Sequence, residues 1–69
     1  MNSCVYHIQI RGQVDEEEIN EMSPLLLQRE RGDTAVTQFS VDTDQSGLIG
    51  LMRHLHALGF VFLSINCEL

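Results

Sequence analysis

The sequence contains no lysine, so four arginines carry all of its permanent positive charge. Ten acidic residues outnumber them and give a formal net charge of −6. Proteins that attract duplex nucleic acid or anionic membranes need a stripe or patch of basic residues. The charge balance therefore argues against both classes of binding, and we expect neither nucleic acid nor a membrane as a partner.

Long apolar runs are also absent. No stretch approaches the roughly 20 apolar residues that a membrane-spanning helix needs. The first ten residues, MNSCVYHIQI, lack the basic and apolar segments of a signal peptide. A cytoplasmic location is the resulting expectation. Cysteine is scarce too: Cys4 and Cys67 are too few for a disulfide scaffold. Since a cytoplasmic setting favours free thiols, we expect both to be reduced.

The chain is nevertheless apolar enough to fold. Its hydrophobic fraction of 43% is too high for a disordered segment. At 69 residues it is expected to form a single domain covering residues 1–69. A domain of this size buries only about 60% of its unfolded surface, so self-association is expected to supplement a thin core.

The first half of the chain predicts a strand, a short helix and a hairpin. Residues 4–11 alternate between apolar and polar side chains, as in a half-buried strand. Asp15 and Glu18 form a capping box at the start of a helix. Gly32-Asp33 then separates two strand-like segments and is typical of a two-residue hairpin turn.

The second half predicts a longer helix and a final strand. Asp42 and Gln45 form another capping box, with Thr43 and Asp44 as further candidates for the N-cap. Gly59 is suited to a left-handed helix end, and residues 60–66 follow as a strand. The apolar face of the helix is formed by Leu48, Leu51, Met52, Leu55 and Leu58.

The resulting order, β-α-β-β-α-β, is the split arrangement of the ferredoxin-like fold, which is an α+β fold. Right-handed crossovers then predict one four-stranded antiparallel sheet in the order 4-1-3-2, with both helices on one face. Pairing Tyr6 with Ile65 in this sheet would put Cys4 opposite Cys67. A redox pair, half of a metal site, and two small hydrophobic residues are the alternatives for these cysteines, of which we favour the last.

The sheet face without helices is the predicted interface. A solvated face is normally more polar than this one, so we expect a homodimer or larger homo-oligomer to cover it. The alternative is a solvated face with scattered apolar residues. Leu25 and Leu27 of the second strand are expected to join the predicted interface residues, which are Val5, His7, Gln9, Val36, Gln38 and Phe62.

The spacing of His54 and His56 invites comparison with a metal site. On a helix the two side chains point roughly 160° apart, so they cannot chelate one ion together. We expect exposed histidines near a helix C-terminus, where their positive charge suits the helix dipole. We predict no cofactor and no metal site within one subunit. A metal site shared between subunits remains an alternative.

The stretch VDTDQSGLIGLMRHLHALGFVFLSIN resembles the signature half of an ACT domain. The resemblance implies a ferredoxin-like regulatory module that binds an amino acid or similar small metabolite at a subunit interface. The implied ligand-binding residues are Asp42, Asp44, Gly47 and Asn66. Ser46 stands where the family usually has proline, and the motif lies in the second βαβ half rather than the first.

The same stretch also resembles short bacterial proteins carrying D-Q-x-x-L-x-G-L-L-R-x-L-x-x-L-G-x-x-L-L-S, a resemblance that implies no activity. No nucleophile elbow, P-loop or metal-ligand spacing frames the Ser, His and Asp residues, so we expect a protein that is not an enzyme. The leading hypothesis is a small module that self-associates through its exposed sheet face. The ACT-like module is the alternative.

Overall fold

The computed structural model describes residues 3–68, which form four strands and two helices. This is the predicted α+β chain order of strand, helix, two strands, helix and strand. In chain order the elements are β1 (Cys4–Arg11), α1 (Glu16–Met22), β2 (Gln28–Gly32), β3 (Val36–Thr43), α2 (Gln45–Ala57) and β4 (Phe62–Glu68).

The four strands form one antiparallel sheet in the order β2-β3-β1-β4. Read from the opposite edge, this is 4-1-3-2, the order that the sequence predicts. The central strands β1 and β3 are in register along their whole length, with Ile8 opposite Phe39. Each outer strand has one bulge, at which its pairing with the neighbouring strand shifts register. Both bulges change which side chains lie on each face of the sheet.

The core lies on one side of the sheet, between the central strands and the two helices. Alternate residues of β1 and β3 point into it, and α1 and α2 both contribute to the same cluster. The helices therefore share one face of the sheet. The buried apolar side chains are Ile8, Ile10, Ile19, Leu27, Phe39, Val41, Leu48, Leu51 and Leu55.

Local signals determine where the helices begin and end. The Asp15 carboxylate accepts a hydrogen bond from the backbone N–H of Glu18 at 3.2 Å, which confirms the first predicted cap. The second helix is capped by Asp44, whose carboxylate accepts from the N–H of Gly47 at 2.7 Å. The predicted capping box of Asp42 with Gln45 is wrong, because Asp42 still belongs to β3. After α2, Gly59 adopts a φ of 98°, the predicted left-handed stop.

The hairpin between β2 and β3 is wider than the predicted two-residue turn. The Asp33 carboxylate accepts hydrogen bonds from the N–H groups of Ala35 at 2.8 Å and Val36 at 3.0 Å, so the side chain closes the turn. This longer turn and a bulge between Arg29 and Arg31 move β2 along β3. As a result Leu27 is buried in the core and Leu25 packs against it, so their predicted place on the other sheet face is wrong.

Helix α1 also pairs with the backbone that leads into β2. The Asn20 side-chain amide donates to the carbonyl of Leu27 at 2.9 Å and accepts from its N–H at 2.8 Å. The Glu16 carboxylate accepts from the N–H of Arg29 at 2.6 Å. Unpaired backbone groups at a sheet edge invite further strands, so these bonds protect the β2 edge.

Candidate functional site: the open face of the sheet

The open face is the side of the sheet opposite the helices. The structure places Val5, His7, Gln9, Val36 and Gln38 there, as the alternation in β1 and β3 predicts. Within residues 3–68 no helix packs on this side, because α1 and α2 both contribute to the core on the other side. Each of these five side chains is nevertheless half-buried, since its neighbours on the same face cover it.

Phe62 does not lie on the open face, so this part of the predicted interface is wrong. Gln9 pairs with Ser64 while the next residue, Ile10, pairs with Phe62, so Leu63 is an extra residue in β4. A bulge of this kind reverses the side-chain alternation beyond it. The ring of Phe62 therefore turns to the helix side and packs against the core.

A chain of side-chain hydrogen bonds crosses the open face and joins all four strands. The Gln38 amide donates to Glu30 at 3.0 Å and accepts from Gln9 at 3.1 Å and from Arg31 at 3.2 Å. The Gln9 carbonyl oxygen accepts from the Ser64 hydroxyl at 2.9 Å. The polar groups at the centre of the face therefore satisfy one another rather than depending on water.

His7 lies between two carboxylates on this face. Its Nδ1 is 2.6 Å from Oε1 of Glu30, and its Nε2 is 2.6 Å from Oε1 of Glu68. A neutral imidazole has one N–H, so only the protonated ring donates to both carboxylates. The hydrogen bonds to Glu30 and then to Glu68 raise the pKa of His7 above 6.5. In turn, the bonds from His7 and Gln38 lower the pKa of Glu30.

The residues implied as ligand-binding by the ACT resemblance do not meet at one point. Asp44 and Gly47 bond to each other at the start of α2. A Cβ at Gly47 would lie 2.1 Å from Oγ1 of Thr43, so the start of the helix by itself disfavours a larger residue there. Asn66 lies opposite His7 on the exposed part of β4, away from this cap.

Asp42 occupies a different position, at the border of a groove. It lies opposite Val5 at the end of β3. Among the described residues, no hydrogen bond to its carboxylate is formed. The groove has a volume of about 450 Å³, and its other lining residues are Val5, Leu25, Leu26, Gln28, Ser40 and Val41.

Cys4 and Cys67 form a disulfide bond, with their Cα atoms 6.0 Å apart. The expectation of free thiols is therefore wrong. The predicted register is also wrong, since Tyr6 lies opposite Cys67 rather than Ile65. The bulge in β4, which the sequence does not mark, contributes to this shift. The sulfur pair lies at the end of the sheet where Cys67 is exposed and Cys4 is half-buried.

The two histidines of α2 lie apart, as helical geometry requires. The ring of His54 donates a hydrogen bond to the backbone carbonyl of Met22 at the end of α1. His56 instead lines a shallow apolar groove with Met52 and Phe62. Across residues 3–68 no group of three or more His, Cys, Asp or Glu side chains is arranged to hold a metal ion.

The sequence reasoning missed three charged members of the open face. Glu30, Arg31 and Glu68 belong to the outer strands, and a bulge brings both Glu30 and Arg31 to the same side. No residue pattern marks that bulge. Glu68 was missed because the predicted last strand stopped at residue 66.

The chain matches no protein-family model, no curated protein and no solved structure. Among the described residues, no helix is long and apolar enough to cross a membrane. The interpretation of the site therefore depends on its own geometry.

Proposed function

We propose that this chain is a non-catalytic assembly module that pairs with a second copy of itself through the open face. The four-strand hydrogen-bond network is the observation that carries the proposal. Covering a polar face is costly when it leaves donors or acceptors unpaired. Here the amides of Gln9 and Gln38 already pair with each other and with their neighbours. Their burial beneath a partner therefore costs less than that of free amides.

The size of the core supports the same proposal. Among residues 3–68 the core cluster contains nine buried apolar side chains, all on one side of the sheet. A small domain with a single covered face gains stability when a partner covers the other face. Val5 and Val36, at opposite ends of the open face, supply apolar area for such a contact.

We further propose that the fold is ferredoxin-like. The chain order of the elements and the strand order support this assignment. Proteins of this architecture serve many unrelated functions, so the fold alone carries no activity.

The chemistry of the open face favours binding over catalysis. Both ring nitrogens of His7 are bonded to carboxylates, so neither is free to act as a general base. The hydroxyl of Ser64 donates to the Gln9 amide rather than to a base that would activate it.

The first test is the oligomeric state of two matched lysine variants, measured by size-exclusion chromatography with light scattering. Gln9→Lys places a charge at the centre of the open face and is expected to produce a monomer. Gln13→Lys makes the same change at an exposed position outside the strands and is expected to leave the wild-type mass unchanged. Equal masses for both variants would contradict the proposed surface, provided that circular dichroism shows both to be folded.

A second candidate function is an ACT-like module that binds an amino acid. The observation that favours it is the groove, whose lining includes Asp42 together with the apolar residues Val5, Leu25 and Leu26. A carboxylate next to an apolar wall suits a ligand with an ammonium group and a hydrophobic side chain.

Thermal shift against a panel of free amino acids tests this candidate. We expect hydrophobic amino acids to raise the melting temperature of the wild-type chain and to have less effect on Asp42→Asn. Glu17→Gln makes the same kind of change at an exposed position of α1, away from the groove, and is the matched control. No stabilisation of the wild type by any amino acid would count against the ACT-like function.

We also propose a cytoplasmic location and, from the resemblance to short bacterial proteins, a bacterial origin. Cytoplasmic disulfides are rare in most organisms and are usually transient or redox-sensing. The bond between Cys4 and Cys67 would then be reversible in the cell.

A further inference from the structure

The disulfide and the ion pairs of the open face meet at Glu68. This residue follows Cys67 directly in β4, and its backbone oxygen lies 3.3 Å from Sγ of Cys4. Its carboxylate lies 2.6 Å from Nε2 of His7. The disulfide, on the helix side of β4, is therefore one residue away from the contact of Glu68 with His7 on the open face.

The end of β4 is held by the disulfide and by its pairing with β1. Among the described residues, β4 pairs with β1 alone, and its last pair joins Glu68 to Val5. The ends of edge strands are the first parts of a sheet to open, because few contacts hold them. The side chain of Glu68 is 65% exposed, so little packing holds it against His7.

We propose that the bond between Cys4 and Cys67 is a reversible thiol–disulfide site whose reduction releases the end of β4 and breaks the contact between Glu68 and His7. The reagent is a dithiol. One of its thiolates attacks Sγ of Cys67, which is an exposed residue. The bond between the two protein sulfurs breaks, and Cys4 leaves as a thiolate that takes up a proton.

The second thiol of the reagent completes the exchange. It attacks the mixed disulfide, and Cys67 leaves as a thiolate that is protonated in turn. The protein gains two electrons and two protons, and the dithiol becomes a disulfide. Oxidation by a disulfide reagent reverses the step.

The change reaches the open face through the charges around His7. Glu30 of β2 and Glu68 of β4 are the acids that bond to its ring. The side chain opposite it on β3 is the neutral Ser40, and its neighbours on its own side of β1 are Val5 and Gln9. Arg31 lowers the pKa of Glu30. Arg11 lies opposite Val36, and Asp42 lies opposite Val5, so neither pairs with His7 across the strands.

Release of Glu68 leaves His7 with one carboxylate instead of two. The pKa of His7 therefore falls on reduction, because one of the two hydrogen bonds that raise it is lost. Oxidation restores the second bond. Reduction at one side of the sheet thus lowers the pKa of a histidine on the other side.

The test is an NMR titration of the histidine Cε1–H signals in the full chain, before and after addition of dithiothreitol. In the wild type we expect the midpoint of His7 to move to lower pH on reduction. In Glu68→Gln the oxidised midpoint is expected to be low already, and reduction is expected to change it little. His56, which makes no contact with these carboxylates, is the internal control.

A second variant removes the dependence on the reductant. Cys67→Ser cannot form the bond, so its His7 midpoint is expected to match that of the reduced wild type. An unchanged midpoint on reduction would overturn the proposal, as would an equal fall in wild type and Glu68→Gln. Loss of the dispersed spectrum of the folded chain on reduction would also overturn it, because the proposed release is confined to the end of β4.

Discussion

At the residue scale, His7 connects strands that are not adjacent in the sheet. From β1 it reaches Glu30 across β3 on one side and Glu68 on the neighbouring β4 on the other. Its side chain is only 24% exposed, because the residues that bond to it also cover it. The alternation of β1 predicts the face on which His7 lies, but the two acids come from strands whose registers depend on bulges.

The charge of His7 makes stability depend on pH. The raised pKa of His7 adds stability that is fully present below its ordinary value of 6.5 and is lost as pH rises through the folded value. The lowered pKa of Glu30 adds stability that is present above its ordinary value of 4.5 and is lost as pH falls. The combined contribution is greatest between these two values.

Urea unfolding of His7→Gln at several pH values measures this contribution. The difference in free energy of unfolding between wild type and His7→Gln is expected to be larger at pH values between 4.5 and 6.5 than in mildly alkaline solution. His56→Gln, at an exposed position on α2, is the matched control for the loss of a histidine. A difference that stays constant with pH would show that the ion pairs of His7 contribute no pH-dependent stability.

At the element scale, local signals account for the helices better than for the sheet. Asp15, Asp44 and Gly59 act within one turn of the chain, so the sequence alone marks the start or end of a helix there. The bulge at Leu63 depends on how β4 pairs with a strand more than 50 residues earlier, and no neighbouring residue signals it. Because the sequence does not mark this bulge, it predicts the wrong face for Phe62 and the wrong partner for Cys67.

Two glycines of α2 make a matched test of the helix start. Gly47→Ala would bring a Cβ to 2.1 Å from Oγ1 of Thr43 and is expected to cost about 1–3 kcal/mol of stability. Gly50→Ala meets no atom within 4 Å in the helix interior and is expected to add about 0.5–1 kcal/mol. Thermal unfolding of both variants measures the difference.

The stability of Gly47→Ala also bears on the ACT-like hypothesis. If Gly47→Ala were as stable as the wild type, the close contact with Thr43 would not explain the glycine. The glycine would then be explained better by the approach of a ligand, which is the role that the ACT resemblance implies.

At the scale of the whole molecule, one sheet separates two different environments. One side holds the apolar core and both helices. The other holds a connected polar network between Val5 and Val36. The disulfide joins the first and last strands through two cysteines that are 63 positions apart in the sequence. Element order and strand order were predictable because they follow from local patterns and crossover handedness.

The interactions between strands were less predictable. The sequence places Gln9 and Gln38 on the same face, but their hydrogen bond depends on the register between β1 and β3. The open face is more polar than the sequence predicts, since Phe62 lies on the other side and a polar network occupies the centre of the face. Paired polar groups, more than exposed apolar area, therefore favour self-association through this face.

The mass of the wild-type chain in solution tests self-association most directly. Light scattering during size-exclusion chromatography at micromolar concentration is the measurement. Pairing through the open face predicts a mass of at least twice the 7.8 kDa of one chain. Elution of a folded chain with the mass of a monomer would contradict it.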